Sequence, residues 1–246
     1  MISELKKMIR ESARIVFFGG AGVSTESCIP DFRSEQGLHN ALDKYGHPPE
    51  TILSKTFFDR DPAAFFSYYK ENLIHLQAKP NAAHLALARL EGIGKLTAVI
   101  TQNIDGLHQK AGSKNVIELH GGVARNYCVS CGKTYTLNCL FSPASDKSPV
   151  PLCDVCGGMI RPDVVLYQEP LSDRVWANAL ARVKNADTLI VGGTSLSVYP
   201  AAGLLPLFSG KNLVLINKTA TPYDEMAGLV IRDGIGKVLS EAISDI

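Results

Sequence analysis

Six cysteines occur in the 246 residues, and four of them are spaced for metal chemistry. Cys128-x-x-Cys131 and Cys153-x-x-Cys156 are turns that let two thiolates converge on one ion, and two such turns complete a closed tetrahedral zinc site. The pairs stand 21 residues apart, one more than the usual spacing, which a loop through Ser142–Pro149 absorbs. Gly132 and Gly157 follow the second Cys of each pair, where a tight knuckle brings amides toward sulfur. With thiolate at all four positions nothing is left open for catalysis, so the zinc expected here is structural. Cys139 and Cys28 lack partners at that spacing and are read as spectator thiols.

A second candidate is the run Gly19-Gly20-Ala21-Gly22-Val23-Ser24-Thr25. Gly20-x-Gly22 suits a strand-to-helix turn in which backbone approaches a pyrophosphate at a helix N-terminus. Alone it is a weak motif. Thr25 stands where the dinucleotide fingerprint has its third glycine, and His39-Asn40-Ala41-Leu42-Asp43 offers no strand ending in an acidic ribose ligand. Hydride transfer by a dehydrogenase is therefore disfavoured, and a plain tight turn is the alternative.

The elements that must carry these residues follow an α/β rhythm. Arg14–Phe18, Leu96–Ile100, Val164–Tyr167, Thr188–Val191 and Leu213–Ile216 are short continuous apolar runs of the kind that forms buried parallel strands. Between them, Asn81 can cap a helix over Ala82–Glu91, and Ser172 or Asp173 can start one running to about Asn185. Strands alternating with helices predict a parallel sheet covered on both faces. Two stretches interrupt the rhythm. Ile29–Lys79 shows aromatic helical patterns at Phe57–Phe58 and Phe65–Tyr69. Gly121–Arg161 is rich in Cys, Gly, Pro and Ser, with strand-like pieces such as Lys133–Thr136, and needs a metal staple to hold together.

Composition bounds the rest. The chain is 46% apolar and 20% charged, enough to bury a sizeable core. Lys plus Arg number 25 against 24 Asp plus Glu, a balance that argues against specific nucleic-acid binding. No apolar run approaches the roughly 18 residues of a membrane span, and Met1–Arg10 carries Glu4 and no long apolar stretch. The expectation is a cytoplasmic protein, where cysteines bind metal or stay reduced.

The residues after the glycine turn carry a resemblance. Gly20-Ala21-Gly22-Val23-Ser24-Thr25-Glu26-Ser27-Cys28-Ile29-Pro30-Asp31-Phe32-Arg33-Ser34 closely resembles the signature of the sirtuins, the NAD-dependent protein deacylases. Thr101-Gln102-Asn103-Ile104-Asp105-Gly106-Leu107-His108, Glu118-Leu119-His120-Gly121, the cysteine pairs and Arg161-Pro162-Asp163-Val164-Val165 follow in the family's order. Gly193-Thr194-Ser195-Leu196, Val198-Tyr199-Pro200-Ala201 and Leu215-Ile216-Asn217 extend the likeness over nearly the whole chain.

The resemblance implies a Rossmann-like NAD-binding lobe from residues 1–30, 81–120 and 162–246, a helical module with a cofactor loop at 31–80, and a zinc-binding module at 121–161. It implies NAD as co-substrate, one structural Zn2+, and acetylated lysine in proteins as substrate. In that chemistry the acyl oxygen attacks C1′ of the nicotinamide ribose, nicotinamide leaves, and a general base activates the ribose hydroxyls so that the alkylimidate intermediate collapses. His120 matches the base; a histidine suits that task because its pKa lies near neutrality. Gln102 and Asn103 fall near the ribose, and Asp105, with Ile104 backbone, at the nicotinamide carboxamide. Asp31, Phe32 and Arg33 belong to a loop over the cofactor. Gly20, Ala21, Gly22, Thr25, Gly193, Thr194 and Ser195 line the phosphates; Asn217 meets the adenosine ribose and Asp233 edges the adenine pocket. Val165, Tyr167 and Glu169 pair with the substrate backbone as an added strand, and Val198 with Tyr199 forms the other edge.

Three positions depart from the family's commonest pattern. Cys28 stands where Gly is usual, so a backbone needing positive φ is strained there. Gln168 takes the place of a frequent Gly before Glu169, which alters peptide affinity or register, and Gly19 replaces a frequent Thr as a packing change. Two rivals are weighed against deacetylation. One is ADP-ribosyl transfer or NAD hydrolysis on the same fold, and the other is a non-enzymatic zinc-ribbon binding module, which the near-zero charge disfavours.

Overall fold

Ile15–Gly19 forms the fully buried strand β1 of the structure, a computed structural model that describes residues 1–30, 35–141 and 149–245. Ile15 and Phe17 pack into one hydrophobic cluster and Val16 and Phe18 into another, as the two-residue period of a strand buried on both faces requires. β1 pairs in parallel with β2 (Leu96–Thr101), and β2 with β3 (Val116–Glu118). A separate antiparallel sheet of order β5-β4-β6 is made by β4 (Gly121–Cys128), β5 (Thr134–Thr136) and β6 (Ile160–Val164). The large sheet continues from the other edge of β1 through β7 (Thr188–Gly192), β8 (Asn212–Ile216) and β9 (Leu229–Ile231). Its order is β3-β2-β1-β7-β8-β9, every neighbouring pair parallel.

Helices cover both faces, as the alternating pattern predicts. Helix α1 (Ile2–Glu11) packs Leu5 and Ile9 onto one face. The helical module follows β1 as α2 (Glu35–Tyr45), α3 (Pro49–Ile52), α4 (Lys55–Arg60) and α5 (Pro62–Asn72). Helix α6 (Ala82–Gly92) returns to the face of α1; Asn81 caps it by accepting from the Ala83 and His84 amides. Short α7 (Leu107–Lys110) follows β2. Helix α8 (Asp173–Asn185) covers the opposite face with a 3-10 segment at Ala201–Leu207, and α9 (Ile235–Ala242) completes the first face. The helical module has its own core, in which Phe58, Phe65 and Phe66 meet edge-on at 4.8–6.0 Å and Tyr69 stacks on Phe65. No helix among the described residues is long and apolar enough to cross a membrane.

Two expectations need correction. Val164–Tyr167 is not a strand of the parallel sheet. Val164 ends β6 in the small sheet, and Tyr167 makes only an isolated bridge with Ser54. Its apolar side chains are buried because Val164 and Leu166 join the helical module's core; an apolar run reports burial and not which sheet receives it. The glycine turn after β1 does not lead into an α-helix either. Two 3-10 turns follow, Ala21–Val23 and Thr25–Ser27.

Candidate functional site

The loops that leave β1, β2 and β3 share a cavity of about 270 Å³ with the helical module and the segment after β6. Of the residues singled out from the sequence, Ala21, Gln102, Asn103, Ile104, Asp105, His120, Val165, Tyr167, Glu169, Val198 and Tyr199 line it. They come from distant parts of the chain and meet because β1, β2 and β3 are adjacent and parallel, so their C-terminal ends lie together. Gly20, Gly22, Thr25, Gly193, Thr194, Ser195, Asn217 and Asp233 are outside the cavity lining, at the ends of β1, β7, β8 and β9. Asp31, Phe32 and Arg33 lie outside the described residues.

Gly22 N donates to Gly193 O at 2.8 Å, and a Cβ on Gly22 would sit 2.8 Å from Gly193 Cα. The glycine therefore lets the loops after β1 and β7 close against each other at the switch point of the sheet. Gly19 has a similar packing reason, since a Cβ there would lie 2.6 Å from the Phe17 ring.

One hydroxyl organises the floor of the cavity. Ser24 Oγ donates to Asp105 Oδ2 at 2.7 Å and accepts from Asn103 Nδ2 at 3.0 Å. Asn103 Nδ2 also donates to Gly20 O, and Asp105 Oδ1 accepts from Leu107 N. Ser24 is 1% exposed and lines the cavity, yet it was not among the sequence candidates; its place inside the glycine signature was the available signal. The Gln102 carbonyl lies 2.8 Å from His120 Nδ1. A carbonyl can only accept, so Nδ1 carries the hydrogen and Nε2 of the neutral ring is the basic nitrogen. Gln102 Nε2 donates to Thr194 Oγ1. Asn217 Nδ2 donates to Thr219 O, and the Asp233 carboxylate accepts from Gly234 N and Lys237 Nζ.

The opposite wall is residues 165–169. Val165 N donates to His120 O at 2.9 Å and Tyr167 N to Leu53 O at 3.0 Å. Glu169 turns inward, accepting from Arg161 Nη1 at 2.8 Å, Arg161 Nη2 at 3.0 Å and Leu166 N at 2.9 Å. Burial pushes the Glu169 carboxyl up, but the bonds from Arg161 and the Leu166 amide outweigh it and hold the group below the usual carboxylate range. Arg161 is a further residue that the sequence candidates omitted.

The four cysteines come together as their spacing predicts. Their sulfur atoms lie within 4.8 Å of one another, with Cys128 Sγ to Cys156 Sγ at 3.5 Å and Cys131 Sγ to Cys153 Sγ at 3.6 Å. A tetrahedral ion with Zn–S bonds near 2.3 Å requires sulfurs about 3.8 Å apart, so the set fits zinc. Gly132 and Gly157 both have φ +72°, and their amides return to Cys128 O and Cys153 O. Tyr135 Oη donates to Cys153 Sγ at 3.0 Å.

Comparison with known proteins gives the same picture from outside. The Sir2 family profile matches residues 20–200. The chain belongs to the Sir2 family. It is 57% identical over 242 residues to a protein of Clostridium acetobutylicum named NAD-dependent protein deacetylase, covering 98% of both chains. A solved structure of Sir2 with a p53 peptide and NAD+ is similar at 40% identity and TM-score 0.89, covering 100% of this chain and 98% of that one. A Sir2 variant with deacetylated p53 peptide and 3′-O-acetyl ADP ribose is similar at 41% identity and TM-score 0.90, covering 99% and 98%. Against the sirtuin pattern, Cys28 has φ +62° and Gln168 φ +75°. Both glycine replacements thus occupy the left-handed region, at roughly 1–2 kcal/mol each.

Proposed function

We propose that this chain is an NAD-dependent protein-lysine deacetylase of the cytoplasm. It transfers the acetyl group of acetyl-lysine to the ADP-ribose of NAD with release of nicotinamide. We read residues 1–30, 81–120 and 162–246 as the NAD-binding lobe, 31–80 as the helical module and 121–161 as the zinc module. The observation that carries the reading is the chemistry of the cavity floor. Both amide hydrogens of Asn103 are already given to Gly20 O and Ser24 Oγ, so what it offers a ligand is its carbonyl oxygen. The Asp105 carboxylate and His120 Nε2 are acceptors too. A floor of acceptors suits ligands that bring donors, and the ribose hydroxyls and carboxamide NH2 of NAD are such groups.

In this reading Asp105 holds the carboxamide, and Ser24 fixes the rotamers of Asp105 and Asn103. NAD supplies the electrophilic C1′: the C1′–N bond to nicotinamide breaks as the acetyl oxygen bonds to C1′. His120 takes a proton from a ribose hydroxyl, and the Gln102 carbonyl on Nδ1–H steadies the ring as it becomes cationic. Addition of one water frees the lysine and leaves O-acetyl-ADP-ribose. Gly20, Gly22, Thr25 and Gly193–Ser195 border the phosphates, Asn217 and Asp233 the adenosine, and Val165–Glu169 with Val198 the peptide. The cysteine quartet holds zinc away from the chemistry.

The test is product analysis with an acetyl-lysine peptide and NAD. Nicotinamide and O-acetyl-ADP-ribose should form one for one with deacetylated peptide, and His120→Ala should lose about 10²–10⁴ in rate while still binding NAD. Free ADP-ribose, or ADP-ribosylated protein, with the peptide still acetylated would overturn the reading in favour of hydrolysis or ADP-ribosyl transfer.

A further inference from the structure

Residues 167 and 168 complete a helix that is not their own. Helix α4 has six residues, and its first amides must find acceptors outside it. Phe57 N uses the Ser54 side chain at 3.2 Å. The other two use the cavity wall: Lys55 N donates to Tyr167 O at 3.0 Å and Thr56 N to Gln168 Oε1 at 3.1 Å. Thr56 Oγ1 donates to the same oxygen at 2.7 Å. Because Thr56 N–H can only donate, the orientation of the Gln168 amide is fixed, oxygen toward α4.

The backbone of the same segment is nearly spent. Val165 N, Leu166 N, Tyr167 N and Glu169 N bond to His120 O, Glu169 Oε2, Leu53 O and Leu166 O. The amide of Gln168 alone in this stretch has no acceptor among the described residues. Its direction is governed by the φ of Gln168 itself, +75°. Glycine enters that region without penalty, whereas a residue with a side chain stays there only if something holds it. Here the holding contact is the pair of bonds from Thr56.

We propose that Gln168 is a positioning residue for the substrate peptide: its side chain, tied to Thr56, keeps the residue left-handed and aims its amide at a carbonyl of the bound peptide. The inference rests on the reading of residues 165–169 as the peptide edge. It makes the contact between the helical module and the cavity wall part of substrate recognition, and it accounts for a glutamine where the family commonly has glycine.

Steady-state kinetics on an acetyl-lysine peptide, with KM determined separately for peptide and NAD, tests it. Gln168→Ala keeps a Cβ in the strained conformation but removes the acceptor, and peptide KM should rise about fivefold, the worth of a hydrogen bond or so. The kcat at saturating peptide and the KM for NAD should stay within about twofold. Thr56→Val, an exposed change, should raise peptide KM in the same direction and add nothing in the Gln168→Ala background. An unchanged peptide KM in Gln168→Ala, equal rises in both KM values, or additive effects in the double variant would overturn the proposal. A wild-type enzyme that turns over no acetylated peptide would instead remove the reading on which it rests, and the proposal with it.

Discussion

Replacing Glu169 by Gln removes a charge from the cavity wall without changing its shape. The side chains of Arg161 and Glu169 are 10% and 18% exposed, and the guanidinium lies 5.4 Å from the Phe58 ring centroid and 5.9 Å from that of Tyr127. In Glu169→Gln this cation keeps its burial and its aromatic neighbours but loses the carboxylate. Breaking a buried pair from one side costs about 3–5 kcal/mol. The amide oxygen that remains can still accept one bond, returning roughly 1 kcal/mol. A loss of about 2–4 kcal/mol follows, or a fall in Tm of about 4–16 °C for a chain of this size. Equilibrium unfolding in urea, followed by circular dichroism and by the fluorescence of Trp176, measures it, provided the two transitions coincide. The pH dependence has a definite sign. The carboxyl is held below its ordinary range in the folded chain, so the pair's contribution is complete at neutral pH. It disappears as acid protonates the group through its lowered pKa. Wild type and variant should therefore converge as the pH falls through that lowered pKa. A loss under about 1 kcal/mol at pH 7, or a gap undiminished in acid, would refute this account of how the wall is held.

Three further outcomes are expected. The purified protein should carry one zinc per chain, and Cys128→Ser or a chelator should release it. Residues 121–161 would become sensitive to protease, because Cys128, Cys153 and Ile160 are nearly all that the zinc module's own small cluster buries; metal analysis finding no zinc in the wild type would overturn this. Burial, and then the neighbouring His84, pushes the His108 imidazole down to about 3; an unfolded histidine titrates near 6.5, so stability should fall by up to about 1.4 kcal/mol per pH unit below that value. His108→Gln should flatten that slope, and equal slopes in urea titrations would sink the assignment. Acetyl-lysine should be preferred to succinyl-lysine by more than about tenfold in kcat/KM. Judged by the spacing to Pro80-Asn81, Phe66 and Tyr69 stand where sirtuins acting on acidic acyl groups resemble one another in a Tyr-x-x-Arg pair; both are fully buried here, and an unpaired carboxylate costs several kcal/mol. Equal use of succinyl peptide would refute that preference.

What could be read from the sequence depended on how local its cause was. The zinc site was legible because Cys-x-x-Cys-Gly is a complete local instruction: two sulfurs, one turn, and a glycine that takes φ +72°. The strands β1, β2, β7 and β8 were legible because burial on both faces leaves a continuous apolar run. β9 was not, since Leu229–Ile231 is three residues at the sheet edge and too short for a pattern. Val164–Tyr167 misled for the converse reason, being buried without joining the parallel sheet. Arg161 and Ser24 act through partners 8 and 81 positions away along the chain, a relation that only the fold creates.

Cys28 and Gln168, two of the three non-glycine residues at positive φ among the described residues, show how neighbouring contacts can replace the freedom of glycine. Cys28 closes a 3-10 turn through its amide on Thr25 O at 3.1 Å, and Ile29 N follows with a bond to Ser24 O at 3.3 Å. Asn81, reaching from the start of α6, donates to Val23 O at 2.7 Å and to Ser27 Oγ at 3.0 Å, which pins the stretch just before Cys28. Gln168 is held by Thr56 on α4. In each case a loop beside the cavity is fastened to a helix by an amide side chain. A glycine there would allow many backbone states, whereas a tethered Cys or Gln at positive φ allows few. The strain of roughly 1–2 kcal/mol at each position is thus the cost of arriving at the cavity already shaped, with less ordering left to be done when ligands bind.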